Sequence, residues 1–264
     1  MIICVDIGNT NMVLGMYHED KLLNTFRIKT DSTMTSDELG IKFLEYLKVD
    51  NIDIKDIEGV IISSVVPSID RHMTEMIKKY FNLVPLFVNP GIKTSVNIRI
   101  NNPKECGADL LVGAVGAISK YGPDIIIIDM GTAITITYVN EKSEFLGGAI
   151  MPGLNTSYRS LFSRASRLEV VGIDDVTSPI GKDTKSCIQS GMVYGTVSML
   201  EGMIVRFKKV YPKAKIVITG GESRIILPYF DKSFNVIYDE NLLLDGLNIL
   251  YKKNKGEKRW INYF

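Results

Sequence analysis

Histidine is nearly missing from this chain. His18 and His72 are the two present in 264 residues, and they stand in separate polar contexts. A histidine-ligated metal centre or a Ser-His-Asp triad asks for more, so any metal would be held by oxygen. Cysteine is scarce and odd in number. Cys4, Cys106 and Cys187 lie far apart without a Cys-x-x-Cys pair, and they read as reduced, partly buried thiols of a cytoplasmic protein. An excess of charge is lacking too: a formal net charge of +1 leaves no electrostatic footprint for nucleic acid or an anionic membrane. No apolar run approaches the roughly 20 residues that span a bilayer. The N-terminus has no basic leader region, and Asp6 breaks its apolar run. The basic stretch from Lys252 to Arg259 is interrupted by Gly256 and Glu257 and reads as a solvated tail.

What the chain has instead is one short phrase written twice. The first copy is Ile2-Ile3-Cys4-Val5-Asp6-Ile7-Gly8-Asn9-Thr10-Asn11, running on into Met12-Val13-Leu14-Gly15-Met16-Tyr17. The second is Ile125-Ile126-Ile127-Ile128-Asp129-Met130-Gly131-Thr132-Ala133, running on into Ile134-Thr135-Ile136-Thr137-Tyr138-Val139. In each, a buried strand delivers a carboxylate to its end and a glycine lets the backbone turn back. Two such turns facing each other would line a crevice with backbone N–H groups and two carboxylates. That suits a nucleotide triphosphate and its cation. A single copy is better explained by the turn-forming habits of Asp and Gly; the repeat is what points to a ligand.

At 264 residues, with 45% hydrophobic and 23% charged side chains, the chain suits two similar half-domains of a globular protein. The first half opens with strands at about 2–7, 12–17 and 22–28. Thr35-Ser36-Asp37-Glu38 has capping-box spacing and starts a helix with Leu39, Phe43, Leu44 and Leu47 on its apolar face. A strand at 59–65, a helix from Pro67 to near Tyr80 and a strand at 84–88 follow. The second half repeats this grammar, with strands at 125–129, 133–139 and 144–150 and helices at 155–165 and 184–209. A strand at 215–219 then leads through Gly220-Gly221 into a helix, followed by a strand at 235–238 and a closing helix at 241–251. The pattern predicts an α/β protein of two mixed sheets, each with an antiparallel hairpin portion and flanking helices. The half-domains are placed at 1–112 and 113–264, joined through a helix or tight crossing within 105–122.

Further motifs stand in a fixed order between and after the two turns. They are Asn102-Pro103-Lys104-Glu105-Cys106-Gly107-Ala108-Asp109, Gly147-Gly148-Ala149-Ile150-Met151-Pro152-Gly153, and Thr219-Gly220-Gly221. With the two turns, this order resembles the acetate and sugar kinase/Hsp70/actin superfamily and, within it, the type III pantothenate kinase family. The resemblance covers nearly the whole chain and implies a duplicated actin/ribonuclease-H-like fold. It also implies an ATP-dependent phosphorylation of pantothenate to 4′-phosphopantothenate, the first step of coenzyme A synthesis, in a cytoplasmic homodimer.

The roles it implies fall on particular residues. The turn from Asp6 to Val13 holds phosphate, with N–H groups of Gly8, Asn9 and Thr10 toward its oxygens and Asp6 on a water of Mg2+. Asp129 helps bind ammonium or potassium, and Gly131 and Thr132 contact ATP. A second cation is plausible physics where neither turn carries Lys or Arg to offset triphosphate charge. Gly220-Gly221 passes against the adenosine. Asp109 accepts the proton of the pantothenate hydroxyl; by itself, an Asp in a first helical turn is also a routine dipole-compensating choice. Gly107, Ala108, Leu110 and Ile100 lie on the acceptor side. Thr184 touches pantothenate from the neighbouring subunit, although Asp183 or Thr184 would also serve as an ordinary N-cap. The helix after it has Val193, Val197, Leu200 and Ile204 on one face. Its Gly191, Gly195 and Gly202 are easier to explain if another helix packs there. Gly147-Gly148 and Pro152-Gly153 either shape a loop closing the crevice or serve the backbone only.

Two positions depart from the family pattern, with Ile100 in place of its tyrosine and Leu110 in place of its arginine. A guanidinium that pairs with a carboxylate is not replaced by leucine; Arg99, Lys104 or Arg159 are the candidates to compensate. The departures keep two other readings open. One is a nucleotide-binding regulator that has lost turnover; the other is a kinase for a different small hydroxy acid or sugar.

Overall fold

Ile2, Ile3, Cys4 and Val5 are all buried, as consecutive apolar residues are in a strand covered on both faces. This strand, β1 (Ile2–Ile7), is the centre of the first sheet. It pairs antiparallel with β2 (Asn11–His18), which pairs antiparallel with β3 (Lys21–Lys29). On its other side β1 runs parallel to β4 (Gly59–Ser64), and β4 to β5 (Leu86–Phe87). One face is covered by α1 (Ser36–Val49) and α2 (Pro67–Met76), whose Leu39, Phe43, Leu47, Ile69 and Met73 meet Ile3, Val5 and Ile7 in one core. The expected capping box starts α1: Glu38 N–H donates to Thr35 Oγ1, and Thr35 N–H to Glu38 Oε2 at 2.8 Å. A short strand, β6 (Asn97–Ile98), which the sequence did not announce, precedes α3 (Ala108–Tyr121).

The second unit repeats the plan. Its strands are β7 (Ile125–Met130), β8 (Ala133–Val139), β9 (Glu144–Pro152), β10 (Lys215–Thr219) and β11 (Ile237–Tyr238). They run in the order β11-β10-β7-β8-β9, parallel on the β10 side of β7 and antiparallel on the β8 side. Three helices, α4 (Leu154–Arg164), α5 (Thr184–Val210) and α6 (Ser223–Ile226), contribute Leu154, Val197, Leu200, Ile204 and Ile226 to a core with Ile126, Ile128 and Met130. The expected apolar face of α5 is buried as read: Val193, Val197, Leu200 and Ile204.

The last helix, α7 (Leu242–Asn254), goes back to the first unit and packs on β1, β2 and β4. The computed structural model describes residues 1–164, 171–173 and 176–255. They form two compact units: Met1–Lys120 with the segment from Asn241 onward, and Tyr121–Glu240. This differs from the expected halves at 1–112 and 113–264. The first crossing lies at the end of α3, within the anticipated 105–122 window, and the chain then returns. Helix packing explains it. A Cβ on Gly116 would collide with the Leu242 carbonyl, and one on Gly246 with the Val112 carbonyl, so α3 and α7 touch backbone to backbone. Helix α3 is correspondingly buried at every position from Leu111 to Ala117, rather than along one amphipathic face. Lys120 and Tyr17 both donate to the Asp245 carboxylate of α7, each at 2.5 Å.

Part of the stretch expected to be a solvated tail is helical instead. Lys252 and Lys253 belong to α7, and Lys252 donates to Asp20 at 2.5 Å; Gly256 to Arg259 lie outside the described residues. No helix among the described residues is long and apolar enough to cross a membrane.

Candidate functional site

The two turns are built alike. Alternation along β1 sets Asp6 opposite the core residues Ile3, Val5 and Ile7, and along β7 it sets Asp129 opposite Ile126, Ile128 and Met130. Asp6 lies between Val13 of β2 and Ser63 of β4; Asp129 lies between Thr135 of β8 and Thr219 of β10. Both carboxylates are half-buried at strand ends. Each turn spends its glycine N–H on closing itself: Gly8 donates to the Asn11 carbonyl at 3.0 Å, and Gly131 to that of Ala133 at 3.1 Å. The Gly8 N–H, expected to face phosphate, donates within its own turn here. Asn9 and Thr10 remain exposed at the first tip, and Thr132 at the second.

The turns are also braced alike, by the residue that follows the third strand. Thr30 N–H donates to the Thr10 carbonyl at 2.9 Å, and Gly153 N–H to the Thr132 carbonyl at 3.0 Å. In the first unit Thr30 Oγ1 adds a bond to the Gly8 carbonyl at 2.7 Å. Gly153 has no side chain to do this, and Thr156 Oγ1 donates to the Thr132 carbonyl at 2.6 Å instead. Neither Thr30 nor Thr156 stands out in the sequence by itself. Aligning the two repeats beyond their turns, to the residue after each third strand, would have exposed the first of them.

Within the second unit several expected residues converge. Gly220 has φ +93°, and a Cβ on it would collide with the Met130 backbone and lie 2.6 Å from Asp129 Oδ1. No residue but glycine fits there, so the Thr219-Gly220-Gly221 turn rests directly on the end of β7. Glu222 N–H donates to the Met130 carbonyl at 3.3 Å. By contrast, Gly147 and Gly148 lie inside β9 and Pro152 ends it, with a register shift at Tyr138/Val139. They are strand residues, not a loop, because cross-strand pairing with β8 claims them. Gly153 packs on the Gly131 and Thr132 carbonyls, a close approach that excludes a side chain.

Asp109 stands in the first turn of α3, with its carboxylate Oδ1 accepting from the Leu110 N–H at 2.8 Å. A Cβ on Gly107 would strike that carboxylate. Burial is the largest influence on Asp109 and raises its pKa above the ordinary 3.8, opposed by the Leu110 N–H and its own. The neighbouring Cys106 thiol is pushed up to about 11, by burial first and by Asp109 second. It is therefore a thiol and not a thiolate at neutral pH. Leu110 and Ile100 are half-buried, and Ala108 opens the helix.

Thr184 is exposed at the first position of α5; the N-cap is Asp183, which accepts from Ser186 N–H at 2.9 Å. A Cβ on Gly191 or Gly195 meets nothing among the described residues within 4 Å. The glycines thus lie off the buried face of their own helix.

Each turn by itself offers a strand-end carboxylate and a glycine-containing tip without Lys or Arg, a donor type that suits a phosphate held through a cation. Among the described residues no three His, Cys, Asp or Glu side chains group to hold a metal. Mg2+ bound mostly by phosphate oxygens and water asks for no such group.

A family model for type III pantothenate kinase matches residues 2–206 of the chain. The chain is 44% identical over 257 residues to a type III pantothenate kinase of Listeria monocytogenes, covering 97% of this chain and 98% of that one. Among solved structures, component A of the (R)-2-hydroxyglutaryl-CoA dehydratase of Acidaminococcus fermentans is similar with a TM-score of 0.58. It is 12% identical and covers 95% of this chain and 96% of its own. The activator of a 2-hydroxyisocaproyl-CoA dehydratase from Clostridium difficile, solved with ADPNP bound, has a TM-score of 0.54. It too is 12% identical, covering 96% of this chain and 94% of that one. At such identity the two structures speak for the fold alone, and they bear out the duplicated actin-like α/β architecture.

Proposed function

The chain belongs to the type III pantothenate kinase family, and we propose that its two turns and Asp109 divide the work of that reaction among them. The reaction transfers the γ-phosphoryl of ATP to the primary hydroxyl of pantothenate and gives 4′-phosphopantothenate for coenzyme A synthesis. The observation that carries the division of labour is the repeat of Asp-ended strand, glycine turn and braced threonine carbonyl in both units.

In this reading the residues 6–13 turn and Gly131-Thr132 hold the phosphates, while Gly220-Gly221 lies against the adenosine. Asp6 would hold a water of Mg2+, and Asp129 a potassium or ammonium ion; when bound, these cations offset the triphosphate charge. Asp109 orients the pantothenate hydroxyl and takes its proton as the oxygen attacks the γ-phosphorus and the bond to the ADP oxygen breaks. Gly107, Ala108, Leu110 and Ile100 form the acceptor side, joined by Thr184 of a second copy. The open glycine stripe of α5 supports a homodimer. The protein works in the cytoplasm.

Purified protein is expected to release ADP only with pantothenate, Mg2+ and potassium or ammonium all present. Asp109→Asn should lower kcat by about 10³-fold, within the range of lost general-base catalysis, with ATP affinity unchanged by calorimetry. Full activity in that variant would remove Asp109 from the mechanism. The ionised carboxylate is the working form and burial raises its pKa. The acid limb of kcat/KM therefore falls on the alkaline side of 3.8, activity being lost as pH drops through the raised value. The same sign makes the ionised carboxylate a cost to the fold above that window, so Asp109→Asn should raise Tm at neutral pH. Light scattering reads the oligomer: a monomer would refute the dimer, and a charge at Gly195 should produce one.

A further inference from the structure

We propose that Glu222 is a positioning residue for the nucleotide, locking the adenosine turn to the second phosphate turn through the N-terminus of α4. A helix start leaves N–H groups that its own chain does not satisfy. Helix α1 meets this locally with Thr35, but α4 is preceded by Gly153, which has no side chain. Glu222 caps it from across the unit. Its Oε2 accepts the Leu154 N–H at 2.8 Å, and its Oε1 accepts the Asn155 N–H at 3.3 Å and Asn155 Nδ2 at 2.7 Å. A carboxylate at a helix N-terminus is favoured by the helix dipole as well as by these bonds.

What the cap holds is the backing of the second turn. The first turn of α4 carries Thr156, which donates to the Thr132 carbonyl, and it follows directly on Gly153, which donates to the same carbonyl. The main chain of Glu222 holds the other side, with its N–H on the Met130 carbonyl and Gly220 seated against Asp129. One residue thus ties three segments together: the end of β7, the tip at Gly131-Thr132 and the Thr219-Gly220-Gly221 turn. If adenosine lies on one of these and phosphate on another, their spacing is set by Glu222. The two turns then bind as one body rather than as two loops.

The inference rests on the nucleotide reading of the second turn. Its test is to measure KM for ATP and for pantothenate, and the Kd for ADP by calorimetry, in the wild type, Glu222→Ala, Glu222→Gln and Thr156→Val. Glu222→Ala should raise KM for ATP and Kd for ADP about tenfold, the size of one lost helix cap, with KM for pantothenate unchanged. Glu222→Gln keeps one acceptor oxygen and should lose about threefold. Thr156→Val should move the same two constants in the same direction. A purely structural role would lower the folded fraction and Vmax and leave KM for ATP where it was; that result overturns the proposal. If Glu222→Ala yields no folded protein, Thr156→Val decides on the same readout. A wild type without pantothenate-dependent ADP release would instead refute the kinase reading, and the Kd for ADP would still judge Glu222.

Discussion

The two units present the same turn but support it by different means. In the first, the brace and the helix that follows are self-sufficient. Thr30 supplies both bonds to its turn, and α1 starts from its own Thr35-Glu38 capping box. In the second, support comes from further along the chain: Thr156 supplies a hydroxyl, to the Thr132 carbonyl, where Gly153 has none, and Glu222 supplies the missing cap. The first turn is thus assembled from residues near it in sequence, the second from three separate segments. A duplicated motif has kept its geometry while shifting the source of its support. The second turn is the one that gains a contact with a further loop, the Gly220 turn that rests on Asp129.

The contrast can be broken most forcefully at Gly153. Gly153→Ala drives a methyl into the Gly131 and Thr132 carbonyls and should cost about 3 kcal/mol of unfolding free energy, at the upper end for overpacking. Urea unfolding measures it, and a cost below that of an ordinary surface change would show that the close approach is slack. A smaller effect comes from Thr35→Ala, which should cost about 1 kcal/mol for one lost cap and leave KM for ATP unaltered, because α1 is capped away from any turn. If that variant raised KM for ATP as Glu222→Ala does, the difference between local and borrowed support would carry no functional meaning. The smallest effect is expected from Thr30→Val, about 0.5–1 kcal/mol for one hydrogen bond. The Thr30 N–H stays on the Thr10 carbonyl in that variant. The same substitution should weaken nucleotide binding less than Thr156→Val does, since Thr156 belongs to the helix that Glu222 ties to the Gly220 turn, whereas Thr30 serves its own turn alone.

The sequence reveals what neighbouring residues decide together. The strands of both repeats, the capping box at Thr35 and the buried face of α5 are local patterns, and they stand where they were read. Asp6 and Asp129 at strand ends are equally local consequences of alternation. What stayed hidden depends on partners distant in the chain. Gly147 and Gly148 fall inside the strand read at 144–150, yet their motif also suggested a crevice loop until β8 is laid beside them. The burial of α3 at every position from Leu111 to Ala117 depends on α7, which meets it through Gly116 and Gly246. Glu222 sits beside a recognisable glycine pair, yet its carboxylate serves a helix that begins at Leu154. No spacing rule predicts such a cap. The hint was a missing one: a helix opening after glycine without a Ser, Thr, Asp or Asn at its N-cap.

The return of α7 has a consequence for how the protein is made. Residues 121–240 form one uninterrupted stretch, whereas the amino-terminal sheet waits for a helix translated after all of them. Until α7 arrives, the face of α3 around Gly116 has no cover. The part synthesised first is therefore the part finished last, and a nascent chain halted before residue 241 would lack the helix that packs on its amino-terminal sheet.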